Sequence, residues 1–221
     1  MREPPRCNVT PFSPPTVDLL AWLTPARCLL ARAVHRDLVV DVHTDYLLAG
    51  ADIITTNNFV CVEHQLAREG LQAELVSMTQ AAASCATQAV ERARSRLPAG
   101  STRELGIAGA LPPLEICYFP PDLSADQMVS QYSAIASALS PSVDVLLGET
   151  LSSAAEACAA ATAAAATGRP AWVALTLHDD LSSTLRGGDS LESTVAQLLA
   201  LKLPKLEGIL VREQRARAAS F

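Results

Sequence analysis

Ala49-Gly50-Ala51-Asp52-Ile53-Ile54-Thr55-Thr56-Asn57-Asn58 decides how this chain is read. A short apolar strand over 51–55 follows a helical stretch that stops at Gly50, and it gives way at once to hydroxyls and amides. A strand end with that chemistry is built to meet something polar. Four later apolar runs, at 105–109, 143–147, 171–177 and 208–211, lie in the same kind of setting. Each is close to continuously apolar, as expected of strands covered on both sides.

Helical texture fills the intervals between these runs. Over 22–48, Leu30, Val34, Leu38, Val42 and Tyr46 recur at four-residue intervals on one face. A helix over 74–95 would turn Leu75, Met78, Ala82, Cys85, Ala89 and Ala93 inward. Ser124-Ala125-Asp126-Gln127 is an S-x-x-Q capping box that opens a helix with Met128, Tyr132, Ile135 and Leu139 on its apolar side. An alanine-dominated helix over 152–167 and another over 191–201 complete the alternation. The connections are long enough for parallel crossovers, so the fold class is α/β. A doubly wound sheet would explain the alternation equally well, but no G-x-G-x-x-G follows a strand and no G-K-[ST] is present.

The 221 residues can bury one sizeable core. Seventeen Lys and Arg stand against 23 Asp and Glu, a net charge of -6, so no basic field draws nucleic acid or anionic lipid. Cys7, Cys28, Cys61, Cys85, Cys117 and Cys158 are scattered without C-x-x-C pairing and read as reduced thiols, which places the protein in the cytoplasm. No apolar stretch approaches the roughly 18 residues of a membrane span. The opening Met1-Arg2-Glu3-Pro4-Pro5-Arg6 leads into prolines and lacks the apolar region of a secretory signal. Residues 1–21 therefore read as an irregular proline-rich tail, 22–211 as the folded domain, and 212–221 as a divergent basic tail.

With Asp41-Val42-His43-Thr44-Asp45-Tyr46-Leu47 in front of it, the opening stretch resembles the homocysteine S-methyltransferase family and its H-x-x-Y-x-x-A-G-A-x-I-I-T-T-N motif. The resemblance implies a TIM-type barrel, here incomplete, with about five of the eight parallel strand-helix units. Five strands cannot close such a barrel, and open sheet edges invite self-association. The resemblance also implies substrate-binding roles. Thr56 and Asn57 match the Thr-Asn that lines the homocysteine site, and Glu149, in a G-E-T setting, matches the glutamate that holds the substrate's α-amino group. On residue type alone, the polar run after the strand could simply cap its turn, and Glu149 could pair with Arg186. Gly109-Ala110-Leu111-Pro112-Pro113 and Tyr118 resemble the family's A-G-S-x-P-P loop and its tyrosine.

His178-Asp179 reads as a strand terminus, because neighbours on an extended strand point apart. His35, His43 and His64 lack a second ligand at i+4, and Cys61 reads as a packed thiol. No residue is singled out as catalytic. In the family a zinc ion held by three cysteines activates the homocysteine thiol, one cysteine after the sixth strand in an N-C context and two in a later G-G-C-C segment. Arg212 and Glu213 stand at the first of these places, and the second would lie beyond Phe221. Zinc is thus expected for the family but not for this chain. Two readings stand. One is a homocysteine S-methyltransferase-like protein, its methyl donor S-methylmethionine or S-adenosylmethionine, inactive as written. The other is a non-catalytic homocysteine-binding module or a truncated product.

Overall fold

The computed structural model describes residues 35–179 and 182–212. The proline-rich segment, the start of the first helical stretch with Leu30 and Val34, Cys7, Cys28 and the tail with Glu213 lie outside the described residues.

Helix α1 (Arg36–Ala49) leads into β1 (Ile53–Thr55); the short α2 (Glu63–Arg68) and a 3-10 turn precede α3 (Leu75–Arg96). The pairs β2 (Gly106–Leu111) and α4 (Ala125–Leu139), β3 (Val145–Leu151) and α5 (Ala154–Ala166), and β4 (Ala171–Thr176) and α6 (Leu191–Ala200) follow, ending in β5 (Leu206–Arg212). All strand pairs are parallel, and the order β1-β2-β3-β4-β5 follows the chain without reversal. A doubly wound sheet would reverse its order at a switch point. Here each strand instead adds beside its predecessor, and the helices α3, α4, α5 and α6 pack in series against their neighbours, with α1 against α3. This is the wall of a singly wound barrel.

The local rules behind the elements are visible in the bonds. Gly50 ends α1 at φ 121°, a conformation that disfavours side chains, and Arg103 covers the exposed helix end by donating to the Leu47 and Ala51 carbonyls at 3.0 and 2.8 Å. Ser124 accepts from Gln127 N–H while the Gln127 side chain accepts from Ser124 N–H, the reciprocal cap foreseen from sequence. In α3 the inward residues Leu75, Ala82, Cys85, Ala89 and Ala93 are buried, with Met78 half-buried. On α4, Met128, Tyr132, Ile135 and Leu139 are all buried. Helix α5 is buried almost all round, because it packs against α4, α6, β3 and β4 at once. Only side chains as small as alanine allow so many neighbours so close.

One expected face is corrected. Leu38, Val42 and Tyr46 do share one side of α1, but they are 60, 45 and 64% exposed, while Val40, Thr44 and Leu47 are buried. Periodicity located an apolar stripe without saying what covers it. Contact with α3 selects the neighbouring stripe for burial, and the Leu38 stripe turns toward the strand ends.

Candidate functional site

The polar residues after β1 are tied into the sheet. Thr56 N–H donates to the Ala108 carbonyl at 2.9 Å, so ladder pairing continues beyond the strand. The Thr56 hydroxyl donates to Asn58 Oδ1 at 2.7 Å and accepts from Ala110 N–H at 2.9 Å. Asn58 Nδ2 in turn donates to the Ala110 carbonyl at 2.9 Å. Two side chains thus replace the backbone partners that β2 loses where β1 stops. Sequence reasoning assigned Asn58 no part in this, since its partner lies 52 positions away.

Strand β3 extends further than the sequence suggested, through Gly148-Glu149-Thr150 to Leu151, with a register shift between Gly148 and Leu151. Thr150 sits at φ 60°, a left-handed conformation uncommon for a β-branched residue. The irregularity re-aims the strand end that carries Glu149, and strain of this kind gathers at functional sites.

Thr55, Thr56, Asn57 and Glu149 line one cleft of 560 Å³, together with Leu38, Val39, Val42, His43, Tyr46 and Phe59. The three residues matched to substrate binding therefore meet, across from the apolar stripe of α1. His43, Tyr46 and Phe59 were not expected there. The H-x-x-Y spacing carried the signal for two of them, because i and i+3 residues share a helix face. Burial pushes the His43 imidazole below its ordinary pKa, so it is held neutral, and its Nε2 is buried without a hydrogen-bond partner. A larger concavity of 1180 Å³ lies at the opposite strand ends, lined by Asp52, Arg94, Arg103 and Asp144 among others. Its arginines donate to backbone carbonyls of Leu47, Ala51 and Leu105, which marks a structural junction.

Around the mouth, the loop after β2 meets the loop after β4. The Arg186 guanidinium lies 4.5 Å from the Tyr118 ring centre and pairs with Asp179 at 2.7 Å. His178 and Asp179 follow the strand end, as the sequence suggested, and Asp179 serves that ion pair. Gly187 N–H donates to the Ser152 carbonyl at 2.8 Å, and a Cβ at Gly187 would fall 2.6 Å from that oxygen. Gly187→Ala is therefore expected to push this loop off the Ser152 turn and to lower unfolding free energy by about 1–3 kcal/mol, read by urea denaturation.

No group of three or more His, Cys, Asp or Glu side chains among the described residues is placed to hold a metal ion. Cys61 and Cys85 are buried, and Cys117 and Cys158 are half-buried. Burial raises the Cys158 thiol above its ordinary pKa, which disfavours the thiolate a metal requires. The described residues do not fit a zinc site.

Residues 15–211 match the homocysteine S-methyltransferase family. The chain belongs to that family. Solved structures of the homocysteine methyltransferase MmuM from Escherichia coli share the fold. Its metallated form gives a TM-score of 0.75 at 24% identity, covering 86% of this chain and 67% of that one. The oxidized form gives 0.75 at 24%, covering 86% and 66%, and the apo form 0.65 at 24%, covering 83% and 63%. This chain thus spans about two thirds of the length of MmuM. The five parallel strands and their helices correspond to part of the MmuM barrel.

Proposed function

We propose that the cleft beneath α1 binds homocysteine, with Glu149 receiving the α-amino group and with Asn57 and the Thr56 backbone forming the polar wall. The observation that carries this reading is the convergence of Thr56, Asn57 and Glu149 in one cleft whose other side is apolar. An ammonium group meets a half-buried carboxylate there, while the thioalkyl chain meets Val42, Tyr46 and Phe59. Family membership attaches a reaction to such a site: methyl transfer from S-methylmethionine or S-adenosylmethionine to homocysteine, giving methionine.

A thiol is a poor nucleophile until it loses its proton. The zinc ligands that the family resemblance implies are not found among the described residues, so we read these residues as the amino-acid-binding part. Domain limits of about 22–211, a cytoplasmic setting and self-association through the β1 and β5 edges belong to the same reading. Ile53, Leu210 and Val211 are exposed on those edge strands.

Titration calorimetry tests it. The 221-residue chain should bind homocysteine, and Glu149→Gln should weaken binding about 10- to 100-fold by removing the charge opposite the ammonium. Unchanged affinity in that variant would remove the reading. Zinc content and methionine formation separate the two versions. One tightly held zinc with methionine release supports catalysis, and metal-free binding supports a binding module.

A further inference from the structure

Glu156 has no place in the binding cleft, yet it is the one carboxylate among the described residues that is fully buried. It stands in the first turn of α5, where its N–H donates to the capping Ser153 hydroxyl at 3.3 Å. Its Oε1 accepts from Leu114 N–H at 2.9 Å and from the Tyr132 hydroxyl at 3.1 Å. Burying a carboxyl group is costly, and an alanine-rich helix needs none for packing.

The two bonds explain where the group is needed. After β2 the chain runs Leu111-Pro112-Pro113-Leu114, and the two prolines offer no N–H. Leu114 carries the first amide beyond them, and Glu156 takes it. On the near side of the prolines, Ala110 is clamped by Thr56 and Asn58. The segment from Ala110 to Leu114 is therefore held at one end by the wall that bears Thr56 and Asn57. Its other end is held by α5, the helix that follows β3, the strand whose end carries Glu149.

We propose that Glu156 is a positioning residue for the amino-acid cleft: through Leu114 N–H and the Tyr132 hydroxyl it fixes the distance between the Thr56-Asn57 wall and Glu149. The proposal rests on the reading of the cleft given above. Desolvation raises the Glu156 pKa, with Glu115 adding to the rise, while its two hydrogen bonds oppose it. Either protonation state can accept both bonds on Oε1, and so can the amide oxygen of glutamine.

The experiment compares the 221-residue chain with Glu156→Gln, Glu156→Ala and Tyr132→Phe. Calorimetry measures binding of homocysteine and of 4-mercaptobutyrate, which lacks the amino group, and hydrogen exchange is followed at 54–58, 110–115 and 147–152. Glu156→Gln should keep homocysteine affinity within about threefold and keep all three segments protected. Glu156→Ala should weaken homocysteine about tenfold or more while changing 4-mercaptobutyrate less, and should speed exchange in all three segments. Wild-type affinity and selectivity in folded Glu156→Ala, or faster exchange confined to Leu114, would overturn the proposal.

Should Glu156→Ala fail to fold, Tyr132→Phe decides. It should show a smaller loss of selectivity for homocysteine and faster exchange at 110–115 and 147–152, and wild-type values of both would overturn the proposal. If the unmodified chain binds no homocysteine, the cleft reading fails, and the positioning role then stands or falls on the exchange patterns alone.

Discussion

Asn58→Asp, a change of one atom, is expected to cost about 3–5 kcal/mol of folding stability at neutral pH, the scale of an uncompensated buried charge. Asn58 is fully buried, and its Nδ2 is the donor that meets the Ala110 carbonyl. Aspartate keeps the shape and keeps an acceptor for the Thr56 hydroxyl, but it sets an oxygen against an oxygen 2.9 Å away. Only a proton on the new carboxyl would restore the bond. Its folded-state pKa is therefore raised, and the sign follows from linkage: stability is retained below the ordinary carboxylate range and lost as pH rises through the raised value. Urea midpoints measured from weak acid to neutrality should fall steeply in the variant relative to the parent. Asn58→Ala should cost less, about 2–3 kcal/mol, with little dependence on pH, because it orphans the Ala110 carbonyl without introducing a charge. Equal pH slopes for Asn58→Asp and the parent would show that the Thr56-Asn58-Ala110 brace does not carry this strand end.

What could be read in the sequence, and what could not, divides along the range of the interactions. The five strands and the long helices are local patterns of apolar residues, and the Ser124 cap is a four-residue motif, so both were legible. Helix α2 escaped notice because its six residues span under two turns and carry no side-chain cap. The end of β3 was read too early, since Gly148-Glu149-Thr150 looks like a turn, and only pairing with β4 keeps it in the sheet. The tasks of Asn58 and Glu156 were illegible for a stronger reason. Their partners lie 52 and 42 positions away, and nothing in either residue's surroundings names them. Thr56 and Asn57 were selected through a family motif, and the geometry adds a distinction between them. The Thr56 hydroxyl is spent on the brace, so its share in the cleft comes from backbone placement.

Tyr132 separates packing from hydrogen bonding at the centre of the helical layer. It is the largest fully buried side chain among the described residues, and its hydroxyl donates to Glu156 Oε1. Tyr132→Ala should cost about 4–5 kcal/mol, the upper range for deleting a buried aromatic ring, because the cavity also removes a donor from a buried acid. Tyr132→Phe keeps the ring and should cost only about 1–2 kcal/mol at neutral pH. The phenylalanine variant carries a second signature. Desolvation already raises the Glu156 pKa, and the tyrosine hydrogen bond works against that rise. In the parent, the stability associated with Glu156 is fully present below the ordinary carboxylate range and is lost as pH climbs through the raised folded value. Removing the hydroxyl lifts that value further, so Tyr132→Phe should go on losing stability at pH values where the parent has levelled off. Glu156→Gln has no proton to release and should lack this loss. Chemical denaturation of the three proteins across weakly acidic to neutral pH would resolve the slopes. A Tyr132→Phe profile parallel to the parent throughout would mean that the hydroxyl does not stabilise the ionised acid, and the buried pair would then owe its geometry to packing alone.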